Sequence, residues 1–187
     1  MKIRANDKVR KLYMFAGAGL ITGDEILKMV EAAKEINPHN HLEWTLEQFS
    51  TLSEIKSDLE IVEFILTIGK KKRWPFRKNI LRMPIKKYFE ILNFARNGVE
   101  DICNALQNIK QPELSSEMKA AGFGKLDFGD LGIARTVGEF ENIGTIQTYS
   151  LQMHVVIKSL SQKAAVARCE KAHQDIIEQK SQAKKYR

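Results

Sequence analysis

The sequence predicts an all-α protein, an irregular helical bundle with a long C-terminal helix. Three observations carry this expectation. The segments Thr22–Glu25, Thr45–Gln48 and Ser57–Glu60 each have the pattern of a helix capping box. Two long stretches, near residues 84–109 and 146–179, place apolar residues in steps of three and four. No segment alternates with the period of two that a half-buried strand needs, and no internal repeat is visible.

The elements follow in order. Thr22 is the expected first N-cap, with Glu25 at N3 and Ile21 and Ile26 as a hydrophobic staple. Ile26, Leu27, Val30, Ala33 and Lys34 keep helical spacing until Asn37-Pro38 ends the helix. Thr45 opens a short helix with Leu46, Phe49 and Leu52 on one face, and Trp44 stands before it to cover packed helix ends. Ser57 opens another, through Val62, Ile65 and Leu66 to a C-cap at Gly69. Residues 70–83 then read as a connector, with one short helical piece at Arg77–Leu81.

Pro84 suits the first turn of a helix of about 25 residues. Its stripe is Ile85, Tyr88, Phe89, Leu92, Ala95, Val99, Ile102, Cys103, Leu106 and Ile109. Gly98 within it costs about 1 kcal/mol relative to Ala, or marks a close helix crossing. Residues 110–145 are glycine-rich, with brief helices expected near 115–121 and 128–139. The last helix is expected from Ile146 to Gln179, fraying toward Lys184, Lys185 and Arg187. Its stripe is Tyr149, Met153, Val156, Leu160, Val166 or Ala167, Cys169 and Ile176. The domain expectation is an N-terminal helical lobe at 1–69, a basic connector at 70–83 and a helical domain at 84–187. The core would join the 84–109 helix to the 146–179 helix.

Composition narrows the class. At 187 residues, 43% hydrophobic and 28% charged, the chain is too apolar to be wholly disordered and long enough to bury a core without staples. Its apolar runs are far shorter than a membrane span. Lys2, Arg4, Lys8, Arg10 and Lys11 precede the apolar patch Leu12–Ile21, which resembles a secretory leader only superficially, being short and broken by Gly17 and Gly19. The expectation is a cytoplasmic protein, in the host cytoplasm if phage-encoded, or a virion component. Cys103 and Cys169 belong to no CxxC or His-bearing metal pattern and read as small hydrophobes.

The net charge of +7 is segregated. Residues 70–87 hold nine bases and no acid, residues 1–12 contribute +4 and residues 158–187 contribute +5. The two remaining segments together carry −11. Such polarity favours self-contact or a strongly polarised partner.

Several motifs invite chemistry and fall short of it. Asp127-Phe128-Gly129 looks like a kinase metal-binding loop, but no catalytic loop, Gly-rich loop or strand lysine accompanies it. It reads instead as a glycine turn entering a short helix. Ala16-Gly17-Ala18-Gly19 precedes a helix start where amides hold phosphate in other proteins, yet the spacing is not GxGxxG and no Lys-Ser/Thr follows. His39-Asn40-His41 offers two metal ligands where three or four are needed, and His154 and His173 lie on the last helix but not on one turn. No catalytic arrangement is named by spacing alone, so the expectation is a non-enzymatic protein without cofactor or metal.

The strongest feature is the basic run. Lys70, Lys71, Lys72, Arg73, Trp74, Arg77, Lys78, Arg82, Lys86 and Lys87 are the candidate partner-binding residues. A solvated connector or protein-docking surface is the first reading. The alternative is nucleic acid, with phosphates gripped by the bases and nucleobases stacked on Trp74, Phe76 and Tyr88. No RNP motif, zinc-finger spacing or helix-turn-helix accompanies the run.

Met83-Pro84-Ile85-Lys86-Lys87-Tyr88-Phe89-Glu90-Ile91-Leu92, then Lys119-Ala120-Ala121-Gly122-Phe123-Gly124-Lys125-Leu126-Asp127-Phe128-Gly129, then a long polar C-terminal helix, form an ordered set. Over residues 79–187 this order and texture resemble small α-helical proteins encoded in the tail modules of tailed phages and prophages, tail assembly chaperones among them. The resemblance implies a non-enzymatic assembly or virion role, with tail or virion proteins as partners, and carries over no site residues. Homo-oligomerisation is also expected, nucleic acid is the alternative partner, and no membrane is.

Overall fold

Thr45 and Gln48 cap a helix reciprocally. The Gln48 amide donates to Thr45 Oγ1 at 3.2 Å, and the Thr45 amide donates to Gln48 Oε1 at 3.0 Å. This is the capping box that the sequence predicts, and each side chain satisfies a donor that helix geometry leaves without an intrahelical partner. The structure is a computed structural model, and it describes residues 7–18, 22, 41–68, 80–121 and 129–185.

The described helices are α1 (Val9–Gly17), α2 (Leu46–Glu54), α3 (Asp58–Thr67), α4 (Ile85–Gln107), α5 (Ser116–Ala120), α6 (Gly129–Glu141), α7 (Thr145–Thr148) and α8 (Met153–Lys185). A 3₁₀ turn spans His41–Glu43. Among the described residues there is no strand, only two isolated bridges, Lys8 with Pro84 and Thr45 with Gln152. The all-α expectation is therefore met.

Apart from Thr22, the first capping box and its helix lie outside the described residues, as do Gly69 and residues 70–79. Ser57 does precede α3, but its side chain makes no capping bond. Pro84 immediately precedes α4, whose 23 residues match the expected length closely. Its predicted stripe is largely the buried face, with Ile85, Tyr88, Phe89, Leu92, Ala95 and Ile102 all buried. The brief helices expected near 115–121 and 128–139 are α5 and α6.

Two elements differ from expectation. The first is α1, a helix where the sequence has a basic and apolar N-terminal patch. Lys8 caps it without a side-chain bond, and the Val9 amide donates to the Met83 carbonyl at 3.0 Å. The Ile85 amide donates back to the Asp7 carbonyl at 2.8 Å. The starts of α1 and α4 thus satisfy each other across a large sequence separation.

The second is the last helix, which begins at Met153 rather than Ile146 and runs on to Lys185. The chain between α7 and α8 pairs with the segment before α2. Leu46 donates to the Leu151 carbonyl at 2.9 Å, Glu47 to Tyr149 at 3.1 Å, and Met153 to Trp44 at 2.7 Å. Carbonyls turned toward another segment cannot continue a helix, so the element divides there.

The chain forms two compact units, residues 1–41 with 49–101 and residues 42–48 with 102–187. In the first, Val9, Leu12, Phe49, Leu52, Val62, Ile85, Tyr88, Phe89 and Leu92 are buried. In the second, Trp44, Leu46, Ile102, Ala134, Val137, Met153, Val156 and Ala164 are buried. Of the expected division into 1–69, 70–83 and 84–187, residues 70–79 of the connector lie outside the described residues. The Asp7–Val9 and Met83–Ile85 pairing holds the first turns of α4 with the N-terminal helix. The 44–47 pairing places a short early segment with the late helices. Within the second unit α8 packs on α6.

Candidate interaction surfaces

The reciprocal amide pair at Val9 and Ile85 has an electrostatic consequence. It sets Lys8 opposite Pro84, so two basic segments far apart in sequence meet. Lys8 and Arg10 are exposed at the start of α1, and Arg82, Lys86 and Lys87 are exposed around the start of α4. Lys11 is half-buried and holds Asp7, with Nζ 2.9 Å from Oδ2. Neither helix has an acidic residue in its first turn. Six cations and one carboxylate, itself engaged by Lys11, therefore occupy residues 7–11 and 82–87. Positive side chains at helix N-termini are electrostatically unfavourable, because the helix dipole presents partial positive charge there.

Of the sequence candidates, Arg82, Lys86 and Lys87 belong to this surface. Lys70, Lys71, Lys72, Arg73, Trp74, Arg77 and Lys78 lie outside the described residues. Lys8, Arg10 and Lys11 were not candidates. The basic composition of residues 1–12 was visible in the sequence, but the backbone pairing that joins it to residue 84 was not.

A second surface lies on α8. From Ala172 to Gln182 every residue is exposed, including Ile176 at 49% and Ile177 at 52%. Val166, nearly two turns before this stretch, is 50% exposed. The inner part of the helix is buried instead at Met153, Val156, Ser159 and Ala164. Two cations on α8 close the second unit's linker, with Arg168 donating to the Lys110 carbonyl and Lys171 to the Glu113 carbonyl, both at 2.6 Å. Cys169 is exposed and Cys103 half-buried, and both are free thiols.

The other motifs resolve into local structure. Gly129 opens α6 with φ +53°, a left-handed conformation that glycine adopts without strain, as a turn entering a helix requires. Asp127 lies outside the described residues. Gly17 ends α1, and the helix expected after it lies outside the described residues. His41 Nε2 lies 3.0 Å from Asp101 Oδ2, and His154 Nδ1 lies 3.3 Å from the Leu42 carbonyl. Among the described residues no group of three or more His, Cys, Asp or Glu is placed to hold a metal, and no helix is long and apolar enough to cross a membrane.

Two tyrosines have hydroxyl pKa values above the usual range. Burial raises that of Tyr88, and its hydrogen bond with Tyr13, 3.2 Å between the two oxygens, raises it further. Tyr149 is raised by desolvation and by Asp130, whose Oδ2 accepts from its hydroxyl at 3.3 Å. The first contact joins α1 to α4, and the second ties the end of α7 to the start of α6.

No protein-family model, curated protein or solved structure matches this chain.

Proposed function

We propose that this chain is a non-enzymatic assembly protein that works by binding other proteins through the outer half of α8. The observation that carries the proposal is the stretch 172–182, exposed on every face yet bearing Ile176 and Ile177. The stretch continues a 33-residue helix past its last buried residue, Ala164. Burying an isoleucine side chain stabilises by about 1.5–3 kcal/mol, so two half-exposed isoleucines side by side favour a partner that covers them. The tail-module resemblance gives the proposal its most specific form, a chaperone-like protein that holds a tail component before polymerisation. What supports that form is the order of segments over residues 79–187.

The test is capture from native lysate by the full-length protein and by an Ile176→Glu/Ile177→Glu variant, each with and without nuclease. Both positions are exposed, so the variant should keep its helical circular dichroism and thermal midpoint. Partners that survive nuclease and are lost with the variant would support the proposal. Capture that disappears with nuclease, or that the variant leaves intact, would refute it.

A further inference from the structure

We infer that the junction of α1 and α4 is a phosphodiester-binding surface, on which Lys8, Arg10 and Lys11 act together with Arg82, Lys86 and Lys87 to grip a nucleic-acid backbone without reading its sequence. The inference rests on the convergence of two basic segments and does not depend on the α8 proposal.

The geometry comes first. Lys8 and Pro84 face each other as a bridge pair, and the two amide bonds at 3.0 Å and 2.8 Å hold the helix starts side by side. All six cations lie within three residues of that pair in sequence. Five of them are exposed, and among the described residues only Lys11 is tied to a carboxylate, that of Asp7. The surface is therefore strongly positive at its centre, and the sequence on the outer side of each segment is basic too, at Lys2 and Arg4 and at residues 70–78.

The chemistry of the surface selects the partner. Protein interfaces have an apolar centre and are depleted in lysine. Here Val9 and Ile85 are buried and Met83 is half-buried, so residues 7–11 and 82–87 expose charge with no large apolar side chain among it. Four of the six cations are lysines, which bind a phosphate as point charges without demanding a fixed orientation of it. No strand, zinc site or recognition helix accompanies them among the described residues, so phosphate contact supplies the affinity. Binding of this kind falls steeply with salt, with a slope in log K against log salt of about −0.9 per phosphate neutralised.

The experiment is fluorescence anisotropy with a 20-base-pair duplex of arbitrary sequence, titrated from about 50 to 200 mM salt. The variants are Lys8→Gln/Arg10→Gln and Lys86→Gln/Lys87→Gln, and the control is Lys158→Gln/Lys180→Gln on α8. Each junction pair should lower the magnitude of the salt slope by about 2 and weaken binding more than about tenfold at the low-salt end. The control pair should do neither. Substitutions at these exposed positions leave the buried core untouched, and a superimposable circular dichroism melt checks that. Absence of duplex binding at 50 mM salt would overturn the inference. So would a Lys8/Arg10 variant that binds like the parent, since that removes α1 from the surface. Equal competition by polyglutamate at matched charge would overturn it in favour of an acidic protein partner.

Discussion

Replacing Gly138 by alanine should destabilise the protein, although the position is inside a helix. On propensity alone, glycine to alanine in a helix interior stabilises by about 0.5–1 kcal/mol. Here a Cβ at Gly138 would stand 3.0 Å from the Ile143 carbonyl oxygen and 3.1 Å from Thr148 Oγ1. Neither atom has room to move. The chain from Gly138 to Ile143 is tied by the Ile143 amide to the Gly138 carbonyl at 2.9 Å, and Asn142 turns it with φ +56°. That is the closing bond of a helix end with a left-handed residue after it. Thr148 is fully buried and its hydroxyl donates to Gly144 at 3.2 Å. Overpacking a filled site costs about 1–3 kcal/mol, which exceeds the propensity gain. The expected net loss is about 1–2 kcal/mol, or a fall in Tm of several degrees at roughly 2–4 °C per kcal/mol for a chain of this size. Urea denaturation with an unchanged m-value would measure it. Gly17→Ala is the matched comparison, because a Cβ there meets nothing within 4 Å, and it should be neutral or stabilising. A Gly138→Ala protein as stable as its parent would refute the packing argument.

Four further outcomes are expected. Thr45→Ala and Gln48→Ala should each destabilise α2 by about 1 kcal/mol, and the double variant should lose less than the sum, measured by a double-mutant cycle in urea. Asn142→Gly should stabilise modestly, because glycine adopts the observed positive φ with less strain, and a thermal melt would register it. Arg168→Ala and Lys171→Ala should leave global stability nearly unchanged but speed amide hydrogen exchange across residues 108–115, whose carbonyls at 110 and 113 they hold. Alkaline pH should destabilise the fold. With the Tyr88 pKa raised in the folded state, the unfolded chain releases its proton first, near pH 10, so stability present below that pH falls as pH rises further. Tyr88→Phe should flatten this dependence, and an unaltered pH profile would count against it.

The parts of the fold that were legible in the sequence are those whose stabilising groups are neighbours in the chain. The Thr45–Gln48 box, the stripe of α4 and the glycine-bounded α6 are all local. The parts that were not legible have their partners elsewhere. Nothing near Lys8 announces a helix, because the carbonyl that receives the Val9 amide belongs to Met83. Nothing near Ser150 announces a break, because its cause is the 44–47 segment. The same holds for the basic surface. Arg82, Lys86 and Lys87 stood out as part of a charged run, whereas Lys8, Arg10 and Lys11 gain meaning only once the bridge at Pro84 is known.

The pairing of residues 44–47 with 149–153 also governs how the protein must be made. The second unit takes its first seven residues from a point about a hundred positions before the helix they anchor. During synthesis those residues emerge early and lack these partners until residues 149–153 have followed, so closure of this unit is a late event of long loop length. A fragment comprising residues 102–187 would lack Trp44 and Leu46 from its core and the carbonyl that receives the Met153 amide. Cutting the chain after residue 101, inside α4, would therefore yield a second half with an open core, and residues 42–187 are the smallest continuous piece in which that unit is complete.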